Sequence, residues 1–256
     1  MDNLESYFEQ IVRARPESRK GENGKVLVIG GSQLFHAASF WSAAAASKIV
    51  DMVHFSSPVI ENNELMRVRA KQKFWEGIVV PYSQVAHYVE EDDAILIGPG
   101  MERGEETRRI VNDFLAKYRD KRWVVDGGAL QEVNPELLNE NMICTPNARE
   151  REILGGGVNP KVTQLIKGPV DLVIKGSERV EIPGGNPGMT KGGTGDVLAG
   201  LVVGFYAKSQ AVASCVVAST VNKKASERLA ERVGVYYGAG DLISEIQAVM
   251  GEFVKT

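Results

Sequence analysis

Cysteine, histidine and long apolar runs are all scarce in this 256-residue sequence, and each scarcity removes a class of function. The two cysteines, Cys144 and Cys215, sit apart in apolar surroundings with no Cys-x-x-Cys pair, so two buried free thiols in a reducing compartment are expected. The three histidines, His36, His54 and His87, are scattered without metal-ligand spacing. His54 falls inside an apolar run and reads as structural, whereas His36 lies close enough to a glycine turn to touch a ligand. No run reaches the roughly 18 apolar residues of a membrane-spanning helix. The opening MDNLESYFEQIVRARPE is polar and mixed in charge, unlike a signal peptide. Charge of one sign is also lacking. A net charge of −3 exerts no pull toward nucleic acid or anionic lipid, and no aromatic-and-arginine stripe suggests single-strand binding. These absences lead us to expect a cytoplasmic chain whose partner is a small molecule, not a nucleic acid or a membrane.

Apolar residues make up 43% and charged residues 25%, so one large α/β domain over residues 1–256 is the simplest organisation. Short apolar runs at 25–29, 51–55, 94–97, 122–125, 142–144 and 172–174 read as strands. Patterns of helical period fall between them, notably at 37–50, 105–118 and 240–250. Alternating strands and helices predict a mostly parallel sheet covered on both faces. Most of the apolar runs end in Gly, Asp, Thr-Pro-Asn or Lys-Gly. Open α/β sheets bind ligands outside the carboxyl ends of their strands, so the useful side chains are expected along one edge.

The most informative stretch is Gly184–Gly204, GGNPGMTKGGTGDVLAGLVVG. Gly192-Gly193-Thr194-Gly195 stands directly before a helical run. A glycine turn at a helix start aims unpaired amides and a partial positive charge at one point, which suits a phosphate. Two roles fit Asp196 on the turn alone: a carboxylate that favours the helix dipole, or a base for a substrate hydroxyl beside the anion site. The stretch is not a Walker loop, because Lys191 precedes the glycines, and Gly30-Gly31-Ser32 lacks the spacing of a dinucleotide fingerprint. Lys191 reads either as a phosphate partner or as a solvated loop lysine. Gly200 and Gly204 read as a close-packing face against a neighbour such as the Ala-rich 211–230 helix.

Gly185-Asn186-Pro187-Gly188-Met189 followed by Gly192-Gly193-Thr194-Gly195-Asp196-Val197-Leu198-Ala199-Gly200 resembles the ADP- or ATP-dependent NAD(P)H-hydrate dehydratases of the ribokinase-like superfamily. Further stretches fall in the family's order: Gly24–Ser32, Gly98-Pro99-Gly100, Asp126, Thr145-Pro146 with Glu150, Val173-Ile174-Lys175-Gly176 and Gly238–Ile246. The resemblance implies a ribokinase-like three-layer sandwich. It also implies a lyase that repairs hydrated NADH or NADPH, with a nucleotide phosphorylating the ring hydroxyl before phosphate is lost. It assigns Asp196 as the base, with Gly193, Thr194 and Gly195 stabilising the phosphoryl group in transfer. Lys175, Gly176, Ser177, Glu178 and Arg179, with Gly195, are expected to line the adenine nucleotide. Ala37, Gly100, Asn147 and Asp196 are expected to face the damaged dinucleotide, and Asp126, which ends an apolar run on the same edge, reads either as a contact to substrate or metal or as a turn former. ADP or ATP and Mg2+ are the implied cofactors, and the family often forms symmetric oligomers.

The sequence departs from the family at three places. Asn147 stands where a His is common, Gly128 where a second Asp is common, and Met101-Glu102 where Leu-Gly usually follows the Gly-Pro-Gly. Asn147-Ala148-Arg149-Glu150 is also an Asn-x-x-Glu sequence, similar to one that ribokinase-like kinases keep near magnesium. Glu150 is therefore either a magnesium ligand or a carboxylate in a first helical turn. The alternative function is a kinase for a small alcohol such as a vitamin precursor.

Overall fold

The computed structural model describes residues 2–72 and 76–255. A nine-stranded sheet runs in the order β3-β2-β1-β4-β5-β6-β7-β8-β9. Its strands are β1 (Lys25–Ile29), β2 (Met52–Ser56), β3 (Gly77–Val79), β4 (Ala94–Ile97), β5 (Arg122–Val125), β6 (Met142–Cys144), β7 (Thr163–Ile166), β8 (Asp171–Lys175) and β9 (Glu178–Ile182). Neighbours from β3 through β7 pair in parallel, and β7-β8-β9 closes the sheet as an antiparallel edge. The central strands are short, β-branched and buried on both faces, as a covered parallel sheet requires. Val26 and Val28 face one apolar cluster, and Leu27 and Ile29 face the other, so the period-two alternation of β1 feeds two separate layers.

The first layer holds α1 (Asp2–Glu9), α2 (His36–Ala46), α3 (Ile60–Gln72), α8 (Thr194–Tyr206), α9 (Ala211–Val233) and α10 (Ala239–Lys255). The second holds α4 (Val85–Glu91), α5 (Glu105–Lys117), α6 (Gly128–Glu132) and α7 (Ala148–Leu154). The expected three-layer α/β architecture is therefore present. All of the expected strands occur, shifted by at most a residue or two, while the 37–50 helix stops at Ala46.

Helix α8 is apolar all round because it is enclosed. A side chain at Gly200 would place its Cβ 2.2 Å from the Ser42 carbonyl oxygen, and one at Gly204 would meet Ile49 at 3.0 Å. The close seam thus runs against α2 and the turn after it, not against the 211–230 helix. Ser42 also donates its hydroxyl to the Asp196 carbonyl at 2.9 Å, which ties the first turn of α8 to α2. Among the described residues, no helix is long and apolar enough to cross a membrane.

Candidate active site

The carboxyl ends of β5, β6 and β7 and the start of α8 bring together residues far apart in sequence. Asp126 follows β5 and is buried, with Oδ1 accepting the Thr145 hydroxyl at 2.7 Å and the Lys167 ammonium at 2.8 Å. Lys167 follows β7, where its amide donates to the Pro146 carbonyl and fixes the exit of the chain. Its Nζ also lies 3.9 Å from Glu150 Oε2. It further faces α8, since a Cβ on Gly195 would come within 3.7 Å of it. Burial works against this ammonium, but Asp126, Glu150 and Asp196 together outweigh burial and hold its pKa above the ordinary lysine value.

Gly193 caps α8 in the left-handed region, at φ +94°, where a side chain would be strained. A Cβ there would also meet Trp41 and Ala239 at 2.8 Å. The Thr194 amide is taken by the Lys191 carbonyl, and its hydroxyl by the carbonyls of Met189 and Lys191. Among the described residues, nothing accepts from the amides of Gly192, Gly193 or Gly195. These amides border a cavity of about 820 Å³. They form an anion-receiving helix start with its donors unspent.

Asp196 stands in the first turn of α8, half-buried. Burial, then the charge of Asp126, push its carboxyl up to about 7, and Lys167 pulls the other way. A carboxylate tuned to that range is suited to accept a proton near neutral pH.

The large cavity is also lined by Asn147, Thr194, Lys167, Gly168 and Pro169, and by Asn222 and Lys223 of α9. Asp196 and Asp126 are not in its lining, although Lys167, which is, pairs with Asp126. Lys175, Gly176, Ser177, Glu178 and Arg179 lie in the β8–β9 hairpin, outside the lining. Ala37 is exposed in the first turn of α2. Gly100 packs on the turn before α2, where a Cβ would come 2.3 Å from the Phe35 carbonyl oxygen. A second cavity of about 260 Å³ opens there, between Gly31-Ser32-Gln33 and Met101-Glu102. It lies where β1 and β4 send their chains in opposite directions across the sheet, the switch point of an α/β fold.

Several residues change meaning once placed. Asn147 and Glu150 form a reciprocal capping box on α7, with both bonds at 2.9 Å, so their spacing has a local structural account. Lys191 donates to the carbonyls of Val235 and Tyr237 and braces that segment from an exposed position on the cavity lining. His54 pairs with Asp92 at 2.8 Å inside the fold, the structural role expected of it. Cys144 and Cys215 are free and buried, and burial pushes Cys144 up to about 12. Lys167 is the residue that sequence reasoning missed. Ile-Lys-Gly occurs twice, at Ile166-Lys167-Gly168 and Ile174-Lys175-Gly176, and only the first copy ends a parallel strand at the cavity.

With this geometry in hand, comparison with known proteins is informative. Residues 26–248 match the profile of the NAD(P)H-hydrate dehydratase family. The chain belongs to that family. A relative in this dehydratase family, the ADP-dependent (S)-NAD(P)H-hydrate dehydratase of Nitrosopumilus maritimus, is 34% identical over 96% of this chain and 94% of its own length. The bifunctional NAD(P)H-hydrate repair enzyme Nnr of Methanocaldococcus jannaschii is 35% identical over 92% of this chain, which spans about half (50%) of that longer protein. The fold matches a ribokinase-like superfamily protein from Enterococcus faecalis with a TM-score of 0.82, at 22% identity, over 99% of this chain and 95% of that one.

Proposed function

We propose that this member of the dehydratase family removes water from hydrated NADH or NADPH in a reaction driven by a nucleotide diphosphate or triphosphate. The observation that carries the reading is the pairing of Asp196, raised to about 7, with unspent amides on the same helix turn. The hydrate places its ring hydroxyl against Asp196. Asp196 takes the proton of the ring hydroxyl, and the freed oxygen attacks the terminal phosphorus of the nucleotide, whose phosphoanhydride bond breaks to release AMP from ADP or ADP from ATP. The amides of Gly193 and Gly195 receive the phosphoryl oxygens as charge builds on them. The ring C–O bond then breaks with loss of inorganic phosphate and a neighbouring ring proton, which restores the dihydronicotinamide. Hydroxide leaves poorly and phosphate leaves well, which is why the nucleotide is consumed.

Lys167, Gly168 and Pro169 border the cavity next to the amides and join Lys175 through Arg179 as nucleotide-lining residues. Among the described residues, no group of three or more His, Cys, Asp or Glu side chains is arranged to hold a metal. One carboxylate plus substrate phosphates is the usual way magnesium is held, and Glu150 fits that part, with Oε2 bound to the Asn147 amide. Magnesium carried in on the nucleotide would neutralise phosphate charge there. Asp126 stays paired with Lys167 and sets the field at Asp196.

The test is direct. The protein is incubated with hydrated NADH and ADP or ATP, and recovery of dihydronicotinamide absorbance is followed. Recovery with matching phosphate release supports the lyase. A stable phosphorylated product without recovered NADH would replace it with a kinase.

A further inference from the structure

The smaller cavity, of about 260 Å³, takes no part in the phosphate chemistry. Ser32, Gln33, Met101 and Ile110 line it with Glu102 and Glu106, and among its described lining residues only these two glutamates carry charge. Both are exposed, and among the described residues neither makes an ion pair; Arg108 in the same segment is taken by Glu132 at 2.9 Å. The Thr107 hydroxyl donates to the Glu102 carbonyl at 2.5 Å and fixes the turn that carries both carboxylates. Ser32 is 6% exposed and accepts the Phe35 amide at 3.0 Å, while nothing among the described residues accepts its hydroxyl proton. The cavity lies one short helix away from the reacting centre. Helix α2 starts at His36, beside the turn that borders the cavity, and nearly two turns on Ser42 bonds the Asp196 carbonyl. That rise is roughly 9 Å. A dinucleotide whose hydrated ring sits at Asp196 reaches the cavity with its adenosine end.

We propose that Glu102 and Glu106 read the adenosine ribose of the hydrated dinucleotide and select hydrated NADH over hydrated NADPH. This rests on the dehydratase reading above. A ribose diol presents two O–H donors, and an unpaired carboxylate accepts both. Acidic side chains at the switch point of dinucleotide-binding sheets select the free 2′-hydroxyl in the same way. The 2′-phosphate of NADPH brings negative charge against two carboxylates, with no cation in the lining to offset it. Glu106 also complements the dipole of α5, in whose first turn it stands. Glu102 precedes that helix and stands where the family usually has Gly, so it carries the larger share of the selection.

Steady-state rates of the full chain with hydrated NADH and hydrated NADPH, at saturating ADP or ATP with Mg2+, test this. The wild type is expected to favour hydrated NADH about tenfold or more in kcat/KM. The double variant Glu102→Gln/Glu106→Gln is expected to bring the two hydrates within about threefold, chiefly through a lower KM for hydrated NADPH. Equal wild-type values, an unchanged ratio in the variant, or equal losses on both hydrates would overturn the assignment. Glu102→Gln alone gives the same readout if the double variant misfolds. Salt needs no variant: a tenfold rise in ionic strength should shrink the wild-type preference severalfold, and a preference that salt does not move would also overturn it. Calorimetric titration with NADH and NADPH themselves separates this assignment from the reading beneath it. If neither hydrate is turned over, the dehydratase reading fails; tighter binding of NADH than NADPH would still support the ribose assignment, and equal binding would overturn it as well.

Discussion

Replacing Asp196 with asparagine should make this protein more stable and nearly inactive. Burial and the Asp126 charge raise the Asp196 carboxyl from 3.8 to about 7. At about 1.36 kcal/mol per tenfold in proton affinity, holding it ionised costs the folded chain up to about 4 kcal/mol above pH 7. Partial exposure lets water screen some of that, so a gain of about 2 kcal/mol from Asp196→Asn is expected at pH 8, or roughly 4–8 °C in Tm. The sign follows from the raised pKa. Below about pH 4 the wild-type carboxyl is protonated in both folded and unfolded chains and costs nothing, and the penalty grows as pH rises to about 7. The variant lacks that dependence, so its advantage should be less than half as large at pH 5 as at pH 8. Thermal melts followed by circular dichroism at the two pH values measure this. Turnover with hydrated NADH should nearly vanish, with ADP affinity kept within a few fold. A Tm difference that is the same at both pH values, or a variant less stable at pH 8, would refute the link between burial, charge and the base.

Three further outcomes follow from the same geometry. Lys167→Met removes the cation that lowers the Asp196 pKa, so the acid limb of the kcat/KM profile should move to higher pH and ADP affinity should fall about tenfold or more, read from a pH–rate series and a titration. Gly193→Ala forces a Cβ into Trp41 and Ala239 at φ +94°, so about 1–3 kcal/mol of stability and most of kcat should be lost, measured by urea melts and steady-state rates. His54→Ala leaves Asp92 buried without its partner and should cost roughly 3 kcal/mol in the same urea melts, yet ADP affinity should not change.

The parts of the fold that were legible in the sequence are those whose signal is local. β1, β4 and β5 announce themselves as continuous apolar runs because both faces are covered. β7 (TQLI) and β9 (ERVEI) are hard to see in the sequence, because only alternate residues are buried and their polar or charged residues break up the apolar run. β3 is a three-residue edge strand, too short to show a period. The glycine turn and Asp196 were readable for the same local reason. The charge network was not, because Asp126 and Lys167 meet across 41 residues of chain. Nothing near Lys191 in sequence reveals its bonds to the carbonyls of Val235 and Tyr237.

The seam between α2 and α8 bears on affinity as well as architecture. Because Gly200 lets the two backbones touch and Ser42 pins the carbonyl of Asp196 from behind, the phosphate-receiving turn is immobilised before any nucleotide arrives. An incoming diphosphate therefore spends little of its binding energy on freezing the loop that greets it, and tight capture requires no enlargement of the contact surface.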